Sequence, residues 1–452
     1  MTKSTESLLD RARAFYARGD DAAAREAYLD VLRREPTHFS ALNELGTLAY
    51  ASGHRSAART AYMQAVTFHP GNPLGRVNFG NLLLEEEDAD GARAQYEAAL
   101  TADPTLAEAH RGVARALSAL GDETAAASHW RKGFGGQAAV VSQRYRGPGD
   151  GVPVLLVVSA KGGNIPTQRF LGDTVFAVTA LYAEFFDTAQ ELPPHAVAFN
   201  AIGDADLCAE ALERAEHILG RTTAPVINPP SRILRTTRAG VAETLAGLPG
   251  VVAPAVRSLA RCELLRAGDL AYPLLLRAPG FHTGRHFLRV ERSEDLTDAV
   301  AALPGVTLLS IQYLDARGAD GLARKYRVMF INGAVYPLHL AISSDWKVHY
   351  FTAAMAGDAA HRDEERRFLD DIAGTLGPRA MAALREIAAT LQLDYGGIDF
   401  GLAADGSVLL FEANATMVIN LPDPDPIWDY RRASIARALD AATRLVLTRA
   451  DR

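Results

Sequence analysis

The chain has 452 residues, 48% of them apolar and 22% charged, with a net charge of −7 at pH 7. That length exceeds one typical core and calls for two or three domains of ordinary globular composition. The acidic balance argues against a general nucleic-acid binder, and no run of 18 apolar residues marks a membrane span. The polar start, Met1-Thr2-Lys3-Ser4-Thr5-Glu6, lacks the pattern of a signal peptide. Cys208 and Cys262 are isolated thiols without metal-ligand spacing, so a reducing, cytoplasmic setting is expected.

The first third repeats itself. Pro36, Pro70 and Pro104 are 34 residues apart, as are Tyr28, Tyr62 and Tyr96, with Trp130 in the next register. Ala24, Ala58, Ala92 and Ala126 keep the same period, and Ala12, Gly46, Gly80 and Ala114 are small positions where two helices can approach closely. Residues 41–50 read as a first helix and 59–66 as a second, with proline closing each pair because it cannot donate to a continuing helix. This pattern resembles the tetratricopeptide repeat over about residues 4–135, as four helix pairs. The resemblance implies an α-solenoid with a concave surface that holds a peptide or protein, packs on its own enzyme domain, or mediates a homodimer. The acids Glu85 to Asp90 read as a solvated helix end.

Gly133-Phe134-Gly135-Gly136 ends the repeat, and Arg144 to Gly151 reads as linker. Val154–Val158 is then expected as a buried parallel strand, followed by the loop Ser159–Asn164, a helix around Thr174–Glu184, and a strand at His195–Phe199 that leads into Asn200. Alternating strands and helices indicate an α/β layer. The glycine pair after the first strand forms neither a P-loop nor a dinucleotide fingerprint. Loops at the carboxyl ends of such strands often bind substrate, which makes Lys161, Asn164 and Asn200 candidates.

Near the end, Gly396-Gly397-Ile398-Asp399-Phe400 and Val408-Leu409-Leu410-Phe411 flank a turn at Ala404–Ser407, a β-hairpin pattern. Apolar strands of this kind are usually buried, and Asp399, Glu412 and Asn414 would need something to offset their desolvation. On neighbouring strands the two carboxylates and the amide could converge on one face. They are hard oxygen ligands suited to Mg²⁺ on phosphates. A solvated rim with incidental acids is the plainer reading of the same residues.

From about Val226 onward the order of segments resembles the ATP-grasp superfamily, in particular glutathione synthetase and related carboxylate–amine ligases. Ile227-Asn228-Pro229-Pro230 resembles the entry to the central domain, and Arg238 stands where the family carries a first nucleotide-binding lysine. Leu274-Leu275-Leu276-Arg277 resembles the strand of the second lysine, and Gly280, His282 and Gly284 fall in the place of the loop over the phosphates. Gln312-Tyr313-Leu314-Asp315 resembles the hinge that meets adenine, and Lys325-Tyr326-Arg327 the strand with a phosphate-binding arginine. Asp399, Glu412 and Asn414 fall on the family's metal ligands. The sequence departs from the pattern in two respects: both lysines are arginines, and Ala341-Ile342-Ser343 replaces a further arginine, a role Lys347 or His349 could take.

The resemblance implies a multidomain chain: an α-solenoid over 1–140, a linker over 141–151, an α/β pre-ATP-grasp domain over 152–228 and an ATP-grasp domain over 229–452. It implies ATP and Mg²⁺, two ions, as cofactors, and an amide- or peptide-forming ligase working through an acyl phosphate. Arg277 and Arg327 would steady the moving phosphoryl group. Carboxylate and amine substrates are expected, with no nucleic acid or membrane partner. The alternatives are a kinase or ester-forming enzyme of the same fold, and a nucleotide-binding scaffold whose solenoid is the working part.

Overall fold

The computed structural model describes residues 4–135, 139–279, 286–348, 353, 355–423 and 425–451. The chain divides into two compact units, Met1–Gly149 and Asp150–Arg452.

The first unit is a helical repeat. Among the described residues it holds the pairs α1 (Thr5–Ala17) and α2 (Asp21–Arg34), α3 (Phe39–Ala51) and α4 (Arg55–Phe68), α5 (Pro73–Glu85) and α6 (Ala89–Ala102), and α7 (Ala107–Ala119) and α8 (Glu123–Gly133). The 34-residue alanines and aromatics form its interior: Ala24, Tyr28, Ala58, Tyr62, Ala92, Tyr96, Ala126 and Trp130 are all buried. Close approach explains the small positions. A Cβ on Gly46 would lie 2.7 Å from the Tyr62 ring, and one on Gly80 would lie 2.7 Å from Tyr96. The acidic run proves to be punctuation: Glu85 ends α5, and the Asp88 carboxylate accepts from the N–H of Gly91 at 2.8 Å, capping α6. A short strand, β1 (Val140–Ser142), follows.

The second unit opens with parallel strands β2 (Val152–Val158), β3 (Phe176–Tyr182), β4 (Val197–Asn200) and β5 (Val226–Ile227), ordered β3-β2-β4-β5, with α9 (Ala209–Leu219) before β5. The helix expected around Thr174–Glu184 is therefore a strand. Phe176, Val178 and Ala180 are buried while Ala177 and Thr179 are less so, a period of two that outweighs the helix reading of this short apolar run.

Short helices α10 (Pro230–Ile233) and α11 (Arg238–Leu245) lead to strands β6 (Val251–Val252) and β7 (Val256–Ala260) and the single-turn α12 (Arg261–Leu264). Strands β8 (Leu274–Arg277) and β9 (Phe287–Val290), helix α13 (Leu296–Ala302) and β10 (Thr307–Gln312) complete a small antiparallel sheet of order β7-β10-β8-β9. One face of it, with Leu274, Leu276 and Leu308, packs on Leu296 and Val300 of α13. Strands β11 (Ala323–Ile331), β12 (Ala334–Ser343), β13 (Tyr395–Leu402) and β14 (Val408–Asn414) join β6 in a larger sheet of order β12-β11-β13-β14-β6. Helices α14 (Ala359–Asp370), α15 (Ile372–Leu391) and α16 (Asp429–Ala450) pack against its strands. The hairpin expected from the sequence is β13–β14.

The expected boundary at residues 228/229 does not separate compact units. Asn228 is buried, donates its amide to the Tyr395 carbonyl at 2.7 Å and accepts the Tyr395 N–H at 3.0 Å. Its own N–H donates to Asp394 at 3.0 Å, so one side chain extends the ladder of β13 into the parallel-sheet region. Among the described residues no helix is long and apolar enough to cross a membrane.

Candidate functional site

Two transverse rows of side chains define the site. In the large sheet, His339 of β12 is register-paired with Arg327 of β11, Arg327 with Asp399 of β13, and Asp399 with Glu412 of β14. Register partners share a face, and Lys325 and Asn414, two residues from Arg327 and Glu412, lie on the same face. The opposite face carries Tyr326 and Phe400, stacked on each other at 5.3 Å, with Tyr326 edge-on to Phe368 of α14 at 5.1 Å. The hydrophobic face thus anchors the strands and leaves the charged side chains together on the opposite face. Register shifts beside Arg327 and beside Asp399 interrupt the ladder at this row, where bulges re-aim side chains.

In the small sheet, Ser258, Leu309, Arg277 and Phe287 form the corresponding row. Alternation puts Leu308 in the core and leaves Thr307, Leu309 and Ile311 on the other face. A cavity of about 320 Å³ lies between that face and the end of β14, lined by Val256, Leu309, Ile311, Arg238, Glu412 and Asn414 among others. Its walls are apolar toward the small sheet and charged toward the hairpin.

The charges are densely paired. Arg327 donates Nε and Nη2 to the two oxygens of Asp399 at 2.6 and 2.8 Å, and Lys325 Nζ lies 3.1 Å from Asp399. Arg238 donates to Glu412 at 2.8 Å, Asn414 Nδ2 donates to the same Glu412 oxygen at 2.8 Å, and Thr416 donates to Asn414 Oδ1 at 3.0 Å. The backbone N–H of Arg238, at the start of α11, donates to Asp206 at 3.0 Å.

Burial opposes ionisation of Asp399, but Arg327 and then Lys325 outweigh it and hold the carboxyl well below the usual carboxylate range. Burial opposes ionisation of Glu412 too, and Arg238, helped by Arg277, still lowers its value against the repulsion of Asp399. Burial, then the nearby Arg238, bring the Arg277 guanidinium down to about 10. Burial and Arg327 push His339 well below the ordinary imidazole value, so it stands neutral in the row.

Asp399, Glu412, Asn414, Lys325, Arg327, Arg238 and Arg277 are thus brought into one site from five separated stretches of chain: the start of α11 and strands β8, β11, β13 and β14. The hinge candidates lie at and just beyond the end of β10. Gln312 exchanges hydrogen bonds with Ala255, its N–H donating at 2.9 Å and its Oε1 accepting at 3.1 Å. Tyr313 carries Arg289 at 4.2 Å over its ring, Leu314 is half-buried, and Asp315 is held by Arg317. Lys347 Nζ lies 3.5 Å from the Phe287 carbonyl. Gly280, His282, Gly284 and His349 lie outside the described residues.

The parallel-sheet candidates fare differently. Asn200 is fully buried and spends its amide on Ile202 and Asn228, so it belongs to the scaffold and offers no group to a substrate. Asn164 bonds both backbone groups of Ser159 and closes its own loop. Lys161 is solvent-facing, 3.9 Å from Glu210. In their place the loop after β4 contributes Asp204 and Asp206 to the cavity wall. His339 and Phe287 were not singled out from the sequence; pairing registers, which a sequence does not display, place them in the rows.

The oxygen donors suit Mg²⁺ in kind, since two carboxylates and an amide oxygen share one sheet face. Among the described residues no group of three or more His, Cys, Asp or Glu side chains could hold a metal ion, so the set depends on Asn414. The cations beside it suit the phosphates that such an ion accompanies.

No protein-family model matches the chain, and no curated protein matches it. Among solved structures, the helical region is similar to a crystal structure of MamA at 19% identity, covering 29% of this chain and 77% of that one, with a TM-score of 0.28. MamA (41-end) from Desulfovibrio magneticus RS-1 is similar at 21% identity over 29% of this chain and 74% of its own, with a TM-score of 0.27. These values are too low to carry any functional argument. The repeat of four helix pairs rests on the geometry above.

Proposed function

We propose that the second unit is an ATP-dependent carboxylate–amine ligase of the ATP-grasp type, and that the tetratricopeptide-like first unit recruits a peptide or protein substrate or partner. One observation carries the reading: Glu412, at the end of a row of oppositely charged side chains, lines with Asn414 and Arg238 a cavity of about 320 Å³ whose other wall is the apolar face of a second sheet. Such a cavity is polar where phosphates would lie and apolar where a base would lie. Buried charges of both signs at one place are costly to maintain and mark functional sites more often than stabilising ones.

In this reading Asp399, Glu412 and Asn414 hold Mg²⁺, while Arg277, Arg238, Lys325 and Arg327 hold the phosphates. Bound MgATP supplies the phosphoryl group that turns an unreactive carboxylate into one an amine can attack. The chain contributes positive charge fixed by neighbours before the reaction begins, which is the main source of stabilisation in phosphoryl transfer. Neutral His339 lends bulk behind Arg327 without adding charge. Arginines in place of the family's lysines keep the charge and add planar, two-pronged donors.

The experiment is phosphate release by the full chain with MgATP and defined pools of carboxylates and amines. Release that requires both supports the ligase. Release on a hydroxyl compound alone would replace it with a kinase of the same fold. Tight MgATP binding without turnover on any pool would favour a nucleotide-binding scaffold, and absence of MgATP binding would remove the nucleotide reading altogether.

A further inference from the structure

We propose that Trp346 is a positioning residue that braces the small sheet against the large one and thereby sets Arg277 over the charged row. The consequence for nucleotide binding rests on the reading above; the brace itself does not. Strand β12 ends at Ser343, and the next residues are held by two side-chain turns: Ser343 Oγ accepts the N–H of Asp345 at 3.0 Å, and the Asp345 carboxylate accepts the N–H of Lys347 at 3.2 Å. These turns present Trp346 to the small sheet. Its ring meets Phe287 of β9 at 5.6 Å and 61°, and Tyr313, just beyond β10, at 6.4 Å and 81°. Both are edge-to-face contacts of the favoured kind.

Each aromatic that Trp346 touches carries a cation. Arg277, the register partner of Phe287, places its guanidinium 5.6 Å from that ring, and Arg289 lies 4.2 Å from the ring of Tyr313. Lys347 adds an ammonium 6.0 Å from Phe287. A single indole, three residues beyond the end of β12, therefore contacts both the edge strand β9 and the end of the inner strand β10. Arg277 is buried on a four-residue strand, and the ring beside it is also in contact with Trp346. Removing the indole leaves Phe287 able to change rotamer and loosens that ring's contact with Arg277, because a cation–π contact is only as well placed as its ring.

The test compares Trp346→Ala and Trp346→Phe with the wild-type full chain by three readouts. Amide exchange of peptides covering residues 286–291 and 312–316 should be about tenfold faster in the alanine variant, and close to wild type in the phenylalanine variant, which keeps an aromatic edge. Modification of Arg277 by phenylglyoxal, a guanidinium reagent, should rise several-fold in the alanine variant only. The dissociation constant for MgATP should weaken about tenfold in the same variant. Unchanged exchange in a folded alanine variant overturns the brace. Faster exchange with unchanged Arg277 reactivity overturns the positioning role. A wild-type chain that fails to bind MgATP sinks the nucleotide reading, while the first two readouts still decide this one.

Discussion

Arg327 and Asp399 face each other on adjacent antiparallel strands, joined by two parallel hydrogen bonds of 2.6 and 2.8 Å. A fork-on-carboxylate pair at the middle of a sheet fixes both side chains as firmly as packing would. It also means that the carboxylate is already engaged, and that Lys325 at 3.1 Å completes a three-membered cluster. The candidate metal ligand is therefore also a structural anchor.

That dual role separates two substitutions that look equivalent in the sequence. Asp399→Asn leaves Arg327 and Lys325 facing a neutral amide, and it should destabilise the second unit by about 3–5 kcal/mol as well as remove MgATP binding. Glu412→Gln, on a half-buried side chain, should remove Mg²⁺-dependent binding with little loss of stability. Thermal melting beside MgATP titration separates the two. Retention of near-native Mg²⁺-dependent binding by Glu412→Gln would discount the metal site.

Arg277→Ala should lower turnover about a hundredfold, the usual consequence of losing one preorganised donor. Arg277→Lys should keep part of the activity, because charge survives while the planar contact with Phe287 weakens. Steady-state phosphate release on whichever substrate pair the full chain uses would check both. Equal activity of the alanine variant and wild type would remove Arg277 from the site.

In the first unit Gly112→Ala should destabilise the last two helix pairs. The new Cβ would lie 2.3 Å from the ring of Tyr96, which is fully buried and cannot swing away. Overpacking costs about 1–3 kcal/mol, against about 1 kcal/mol gained in helix propensity. Gly71→Ala meets nothing within 4 Å and serves as the control. Amide exchange in α6 and α7 should rise for the first substitution alone.

The pair His110 and His129 makes the same region acid-sensitive. Their Nδ1 atoms lie 3.0 Å apart, and His110 Nε2 lies 3.0 Å from the Pro104 carbonyl. With Nε2–H donating to Pro104, His110 Nδ1 is the acceptor and His129 Nδ1–H the donor. Burial lowers the His129 value, His110 and Lys132 lower it further, and Glu97 opposes them. A base whose folded value lies below its unfolded value of about 6.5 contributes stability above that pH, and the contribution is lost as pH falls, because the unfolded chain protonates first. Exchange protection of α7 and α8, corrected for intrinsic rates, should therefore fall between pH 7.5 and 5.5. His129→Gln should flatten the dependence. Equal protection of the wild type at both pH values would count against it.

Residues 150–452 alone should bind MgATP as the full chain does, because every member of the two rows lies in that span. If the solenoid recruits a peptide, the fragment should lose use of the full substrate and keep a small-molecule surrogate, as expected when tethering raises local concentration. Loss of MgATP binding by a demonstrably folded fragment would assign the first unit a part in the site.

Local, periodic features were legible without coordinates. The 34-residue recurrence of alanine and tyrosine specifies helix pairs because each repeat must bury the same face on its neighbour. The hairpin at Asp399 and Glu412 was legible because two apolar strands flank an Asp-Gly turn. Tertiary structure decided the rest. Phe176–Tyr182 became a strand because the parallel strand Val152–Val158 was available to pair with it, and a short apolar run alone does not state its period. Asn200 looked like a loop ligand until burial committed its amide to Asn228. His339, Phe287 and Trp346 carry no local signature. They enter the site through strand register and the approach of two sheets, relations between residues far apart in the chain, which pairing and packing settle and residue order does not display.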